Sequence, residues 1–302
     1  SRVRSVTPSG MVTTLPFVFA LPKSIDWVVN QDTPVFVSGI AIDASQTIWV
    51  SAPFAGSVFR VVNGIGPQVV AGAREPEGLG IVDGLAGKAR FGYNVKGMVA
   101  SPDGTLYVAD SSTVRSVDRN GTVRTIAGLA NATDAVVDGK GNDARFGNLW
   151  ALVTDPTGGL LALDGLHLRK VAPDGTVTTL RSYSWLGTMN AAAMDADGTL
   201  FFAAGCELWS ASPTGTLSHI SGASWYCVSY YPELQRDPTR IQRIAVSPDG
   251  SLFVFSSTRL SHMTKAGADL ASWGDLFPSE SARPPIAFDS RARAYVASSA
   301  GV

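Results

Sequence analysis

One set of residues that could do chemistry recurs at a single place in a repeated phrase. Ile40, Met98, Leu152, Ala192, Ile244 and Ile286 anchor short apolar runs, and two places before them stand Ser38, Lys96, Trp150, Asn190, Gln242 and Pro284. One cation, two amides and an indole at equivalent positions can hydrogen-bond hydroxyls and stack on the apolar face of a ring. Arg243 follows Gln242 directly and adds a second cation. No carboxylate or histidine occupies the set, so it serves neither a hard cation, which wants several charged oxygens, nor zinc, which wants His or Cys. No metal and no cofactor is expected. The three histidines, His167, His219 and His262, are dispersed and read as isolated sheet residues. GxSxG, HExxH, Walker and EF-hand patterns are all missing.

A second group lies in the stretch ASWYCVSYYPELQRDPTRIQ from Ala223, where Trp225, Tyr226, Tyr230 and Tyr231 stand beside Arg236 and Arg240. These residues suit stacking on a sugar or gripping a peptide, and equally suit packing the loop onto its own sheet. Cys206 and Cys227 are the only cysteines, and both fall in loop segments. That placement favours a disulfide in an exported protein over two free thiols. Arg90-Phe91 and Arg145-Phe146 recur within ARF segments, and repetition favours a structural role: Phe filling a gap, Arg capping carbonyls or pairing with an Asp.

These residues need a frame, and the stretch GMVASPDGTLYVADSSTVRSVDRNGTVRTIAG from Gly97 supplies its unit. Four short apolar runs are punctuated by PDG, SS and NG, the residues that tight hairpin turns require. A lone four-stranded sheet leaves both faces wet and needs neighbours like itself. Six such units begin at Gly39, Gly97, Ala151, Ala191, Arg243 and Pro285, spaced by roughly 40 to 60 residues, a period suited to propeller blades. The sixth stops after its second strand. SRVRSVTPSGMVTTL, residues 1–15, matches the outer strands of the third unit, LRKVAPDGTVTTL, and is expected to complete the last blade and close the ring. The expected fold is all-β: one six-bladed propeller of four-stranded antiparallel blades over residues 1–302, with 285–302 the inner strands of the last blade.

The composition agrees. Hydrophobic residues make up 45% and charged residues 16% of the 302, with 31 Gly and 17 Pro for turns. A net charge of -1 argues against nucleic acid as a partner, and no apolar run is long enough for membrane insertion. The chain opens at Ser1 without an initiator Met or signal peptide, and is expected to be a trimmed, monomeric domain, secreted or periplasmic.

VDGLAGKARFG from Val82, VDGKGNDARFG from Val137, and the YVAD and TVRTIAG phrases resemble NHL repeats. The resemblance implies a propeller, usually of six blades. It covers the whole chain, and is sharpest in the second and third units. In such a ring the long insertions gather on one face, and the inner-strand mouths converge there. A binding site is therefore expected at the axial mouth, built from Lys96, Trp150, Asn190, Gln242 and Arg243 with Trp225, Tyr230 and Tyr231 from the long loop; the alternative is that Trp150 plugs the channel. Three functions are open. The first is a non-catalytic module binding a glycan, peptide or small polar ligand. The second is a metal-independent lyase or hydrolase using Tyr230 or Tyr231 with an arginine. The third is a sensor or scaffold domain of a larger secreted protein.

Overall fold

Short strands follow from turn chemistry. Asp43 Oδ1 accepts from the N–H groups of Ser45 and Thr47 at 2.9 Å, and Asp118 Oδ1 accepts from Asn120 and Thr122 at 2.9 Å. Each aspartate thus folds the chain back after a handful of extended residues. In a computed structural model the described residues are 2–7, 9, 11–16, 37–52, 56–62, 66–72, 80–92, 94–132, 136–205, 207–220, 241–256, 259–273 and 285–298. Among them there are strands and one 3-10 turn at Gly141–Asp143, and no helix long and apolar enough to cross a membrane.

The strands are numbered along the chain. The first two are β1 (Arg2–Val6) and β2 (Val12–Thr14). Blade one holds β3 (Gly39–Ile42), β4 (Ile48–Ala52), β5 (Ser57–Val62) and β6 (Gly66–Ala71). Blade two holds β7 (Val95–Ala100), β8 (Leu106–Asp110), β9 (Thr113–Val117) and β10 (Val123–Gly128). Blade three holds β11 (Gly139–Lys140), β12 (Leu149–Thr154), β13 (Leu160–Asp164), β14 (His167–Val171) and β15 (Thr176–Ser182). Blade four holds β16 (Met189–Met194), β17 (Leu200–Ala204), β18 (Glu207–Ala211) and β19 (Leu217–His219). Blade five holds β20 (Ile241–Val246), β21 (Leu252–Ser256), β22 (Arg259–Met263) and β23 (Asp269–Trp273). The sixth sheet joins β24 (Ile286–Phe288) and β25 (Ala294–Ser298) to the N-terminal pair in the order β2-β1-β25-β24. There β1 pairs antiparallel with β25 in the register Arg2↔Ser298 to Val6↔Ala294.

All pairings among the described residues are antiparallel, most of them between consecutive strands, and the protein is a six-bladed β-propeller. Blade three departs from four strands, because β11, from the segment that enters it, adds a short fifth strand beside β15.

The core sits between blades rather than within one. One apolar cluster joins Trp49 and Val58 of blade one to Met98 and Val108 of blade two, with Phe91 inserted. The next joins Val114 of blade two to Leu152 and Leu160 of blade three around Phe146. Similar clusters fill the three following gaps, and Val3 with Tyr295 packs against Ile40, Val50 and Phe59 to fill the gap between blades six and one. Each sheet therefore has two buried faces, which is why strands such as LFFAA in β17 are apolar throughout. Close blade approach also explains Gly121: its φ is +83, and a Cβ there would lie 2.0 Å from the Val70 carbonyl oxygen of blade one.

Candidate functional site at the axial mouth

The inner strands bring the expected residues together by a shared irregularity. In blades two to five the ladder between the first and second strands slips by one residue, at Lys96, Trp150, Asn190 and Gln242. A bulge leaves its extra residue outside the ladder and re-aims the side chain. Lys96, Trp150 and Asn190 line a cavity of about 80 Å³ on the axis, together with Ser38, Arg243, Pro285 and an apolar floor that includes Met98 and Leu152.

Small residues follow the bulges and let the strands converge. A Cβ on Gly97 would lie 3.2 Å from Ala151 Cα and 3.3 Å from the Trp150 carbonyl oxygen, and Ala151 and Ala191 fill the same place in their blades. Blade five has Arg243 instead. Its guanidinium donates to the Ser38 carbonyl in blade one at 3.0 Å and to the Gln242 carbonyl at 3.0 Å, so it spans the mouth past blade six.

Lys96 is held by its neighbours. Its Nζ lies 3.7 Å from the centroid of the Trp150 ring and donates to Asn148 Oδ1 at 2.7 Å. Asn148 in turn donates its N–H to Asp164 Oδ1 at 2.6 Å. Asn190 is 6% exposed and donates Nδ2 to the Ile241 carbonyl at 2.7 Å. Its Oδ1 and the Oε1 of Gln242 are buried with no hydrogen-bond partner among the described residues. The cavity is thus lined by two cations, an indole and one amide with a buried acceptor; Gln242, expected there, is not among the residues that line it.

Two strands out from the axis lies a network that the sequence did not signal as a unit. Arg115, fully buried, pairs with Asp83 at 2.8 Å and Asp110 at 3.0 Å, and donates to the carbonyls of Arg90 and Val82 at 2.6 and 2.7 Å. Arg169 repeats this with Asp138 at 3.0 Å, Asp164 at 3.1 Å, the Val137 carbonyl at 2.7 Å and the Arg145 carbonyl. The guanidiniums also lie over Phe91 and Phe146, 4.8 and 4.7 Å from the ring centroids. The Phe residues fill interblade gaps as expected, and Arg145 caps the Asn142 and Ala144 carbonyls, but the aspartate pairing belongs to Arg115 and Arg169. The available signal was the shared Asp-x4-Arg spacing of Asp110 to Arg115 and Asp164 to Arg169. Burial pushes Asp83 up, but hydrogen bonds from the Thr125 N–H and Arg115 outweigh it and hold Asp83 below the usual carboxylate value. Asp138 is lowered by the same balance, with Thr179 and Arg169. Asp110 goes the other way, pushed up by burial against the pull of Arg115.

The histidines stand away from the axis. His167 bonds Ser182 at 2.8 Å, His219 meets the Trp209 ring, and His262 bonds Ser251 at 2.8 Å and stacks on Phe253. Among the described residues no group of His, Cys, Asp or Glu could hold a metal ion. Trp225, Tyr230, Tyr231, Cys206 and Cys227 lie outside the described residues.

No protein-family model matches the chain, and no curated protein matches it. Solved structures do. A streptogramin B lyase superposes with a TM-score of 0.57 at 14% identity, covering 88% of this chain and 78% of that one. Virginiamycin B lyase from Staphylococcus aureus gives 0.58 at 12%, covering 98% and 87%. A gluconolactonase from Xanthomonas campestris gives 0.60 at 12%, covering 92% of each. At such identity the likeness shows the six-bladed propeller fold, and these fold neighbours are enzymes.

Proposed function

We propose that the protein takes a small polar molecule at its axial mouth and acts on it as a lyase or hydrolase without a resident metal. One observation carries this: Lys96 and Arg243 line one axial cavity with Asn190, whose Oδ1 has no partner among the described residues. Two positive charges held by hydrogen bonds stabilise negative charge that develops on a carbonyl oxygen or a departing carboxylate. Trp150 supplies an apolar wall. Tyr230 or Tyr231 from the long loop would carry the proton, each being able to donate and accept one. The neighbours named for streptogramin B, virginiamycin B and gluconolactone support small-molecule chemistry on this fold. The phrases around Val82 and Val137 place the chain, in our proposal, with NHL-type propellers.

The test is turnover of a panel of lactones and cyclic depsipeptides, followed by mass spectrometry in the presence of EDTA. Cleavage that persists in EDTA and drops at least about 100-fold in Lys96→Met is expected, since an oxyanion-stabilising donor contributes on that order. No product from any member overturns catalysis. The second function, binding of a glycan, peptide or small polar ligand without turnover, is favoured by the lack of a carboxylate or histidine among the described residues lining the mouth.

A further inference from the structure

We infer that Asn190 selects the ligand, its Oδ1 accepting a hydrogen bond from a hydroxyl that stands next to a carboxylate. This rests on the axial mouth being the ligand site. The amide cannot turn over to hide its oxygen: Nδ2 donates to the Ile241 carbonyl at 2.7 Å, and a flip would set two oxygens against each other. Oδ1 is therefore fixed and without a partner among the described residues, on a side chain that lines the channel; almost none of its surface is open, so a ligand reaches it by displacing its cover. A buried acceptor left unmade is costly, so the site gains most from a ligand that brings a donor.

The donor's character follows from the surroundings. Lys96 and Arg243 line the same channel, and their charge disfavours an ammonium group or a metal cation there. A neutral hydroxyl satisfies Oδ1 without that repulsion. The same two cations favour an anionic oxygen beside the hydroxyl, and a carboxylate one carbon away meets both demands in one small group. The cavity of about 80 Å³ is far below the several hundred that a whole drug-sized ligand fills, so it takes the head of a molecule, the remainder lying outward. A 2-hydroxy carboxylate is such a head.

Glycolate and acetate, which differ by that hydroxyl alone, are the probes, with binding read by calorimetry on the full chain. The unmodified protein is expected to bind glycolate roughly tenfold or more tightly than acetate, the usual return for satisfying a buried acceptor. Asn190→Leu should bind the two alike. Thermal melting should place this variant within about 2–4 °C of the parent, because it removes one orphan acceptor and leaves the Ile241 carbonyl one bond short; Asn190→Ala serves if the leucine does not fit. Equal affinities in the parent, no glycolate binding by the parent, or a preference that survives in both variants each overturns the inference. Lys96→Met separates the two proposals. If it abolishes equal binding of both anions, the mouth is the site and Asn190 does not select. If the hydroxyl preference holds and no substrate turns over, the selection stands and the proposed catalysis falls.

Discussion

Blades two and three bury polar groups on a strand well out from the axis, blades four and five on the inner strand, and the two pairs treat them oppositely. In the first pair each buried arginine has both terminal nitrogens engaged, by two carboxylates and two carbonyls, and only Nε lacks a partner among the described residues. In the second pair the bulged residues Asn190 and Gln242 each keep an amide oxygen buried without one. A nearly saturated network locks an incoming loop to a blade, because removing any member leaves a charge stranded. A buried acceptor left unsatisfied costs the apo fold stability, and in our proposal a ligand satisfies that of Asn190.

Breaking the saturated side should have the largest effect. Arg115→Ala or Arg169→Ala strands two carboxylates, one of them fully buried, and is expected to cost on the order of 3–5 kcal/mol in urea unfolding. A loss below about 1 kcal/mol would show that these pairs are not what secures the VDG segments. Arg169 should also reach the mouth, since the path Arg169–Asp164–Asn148–Lys96 is continuous.

A smaller effect tests the spacing of the inner strands. Gly97→Val would press a branched side chain against Ala151 and Trp150 backbone atoms 3.2–3.3 Å from its Cβ, and should cost about 1–3 kcal/mol. If the variant's melting temperature is unchanged, the strands are not packed as tightly as the bulges require.

The smallest is a pH effect. Asp83 and Asp138 are held below the usual carboxylate value of 3.8, so their contribution is present above that value and is lost as pH falls through the lowered range. Asp83→Asn with Asp138→Asn should flatten the acid side of the stability curve below about pH 4 and leave the shape near neutrality alone. An acid limb as steep as the parent's would assign the loss to other groups.

Much of this frame was legible in the chain. Turn residues such as Asp103-Gly104 and Asn120-Gly121, with apolar runs between them, fix strands locally, because a hairpin register follows from its turn. Repetition of that unit fixes the ring, since identical wet-faced sheets can only cover one another. The N-terminal strands that join β25 were visible for the same reason, as a copy of an outer hairpin. Lys96, Trp150, Asn190 and Gln242 could be aligned at one position, with Arg243 next to it, without knowing which of them converge.

Only the tertiary structure decided the rest. The one-residue slips at Lys96, Trp150, Asn190 and Gln242 are properties of a pair of strands, and no single strand's sequence states where its partner's ladder breaks. Arg243 reaching Ser38, and Arg115 reaching Asp83, join residues far apart in the chain, through distances that exist only once the ring is closed. Whether a buried polar atom is satisfied is likewise a sum over every neighbour in space. Sequence determined which groups are present, and packing determined that Arg115 is paired while the oxygen of Asn190 stands alone among the described residues.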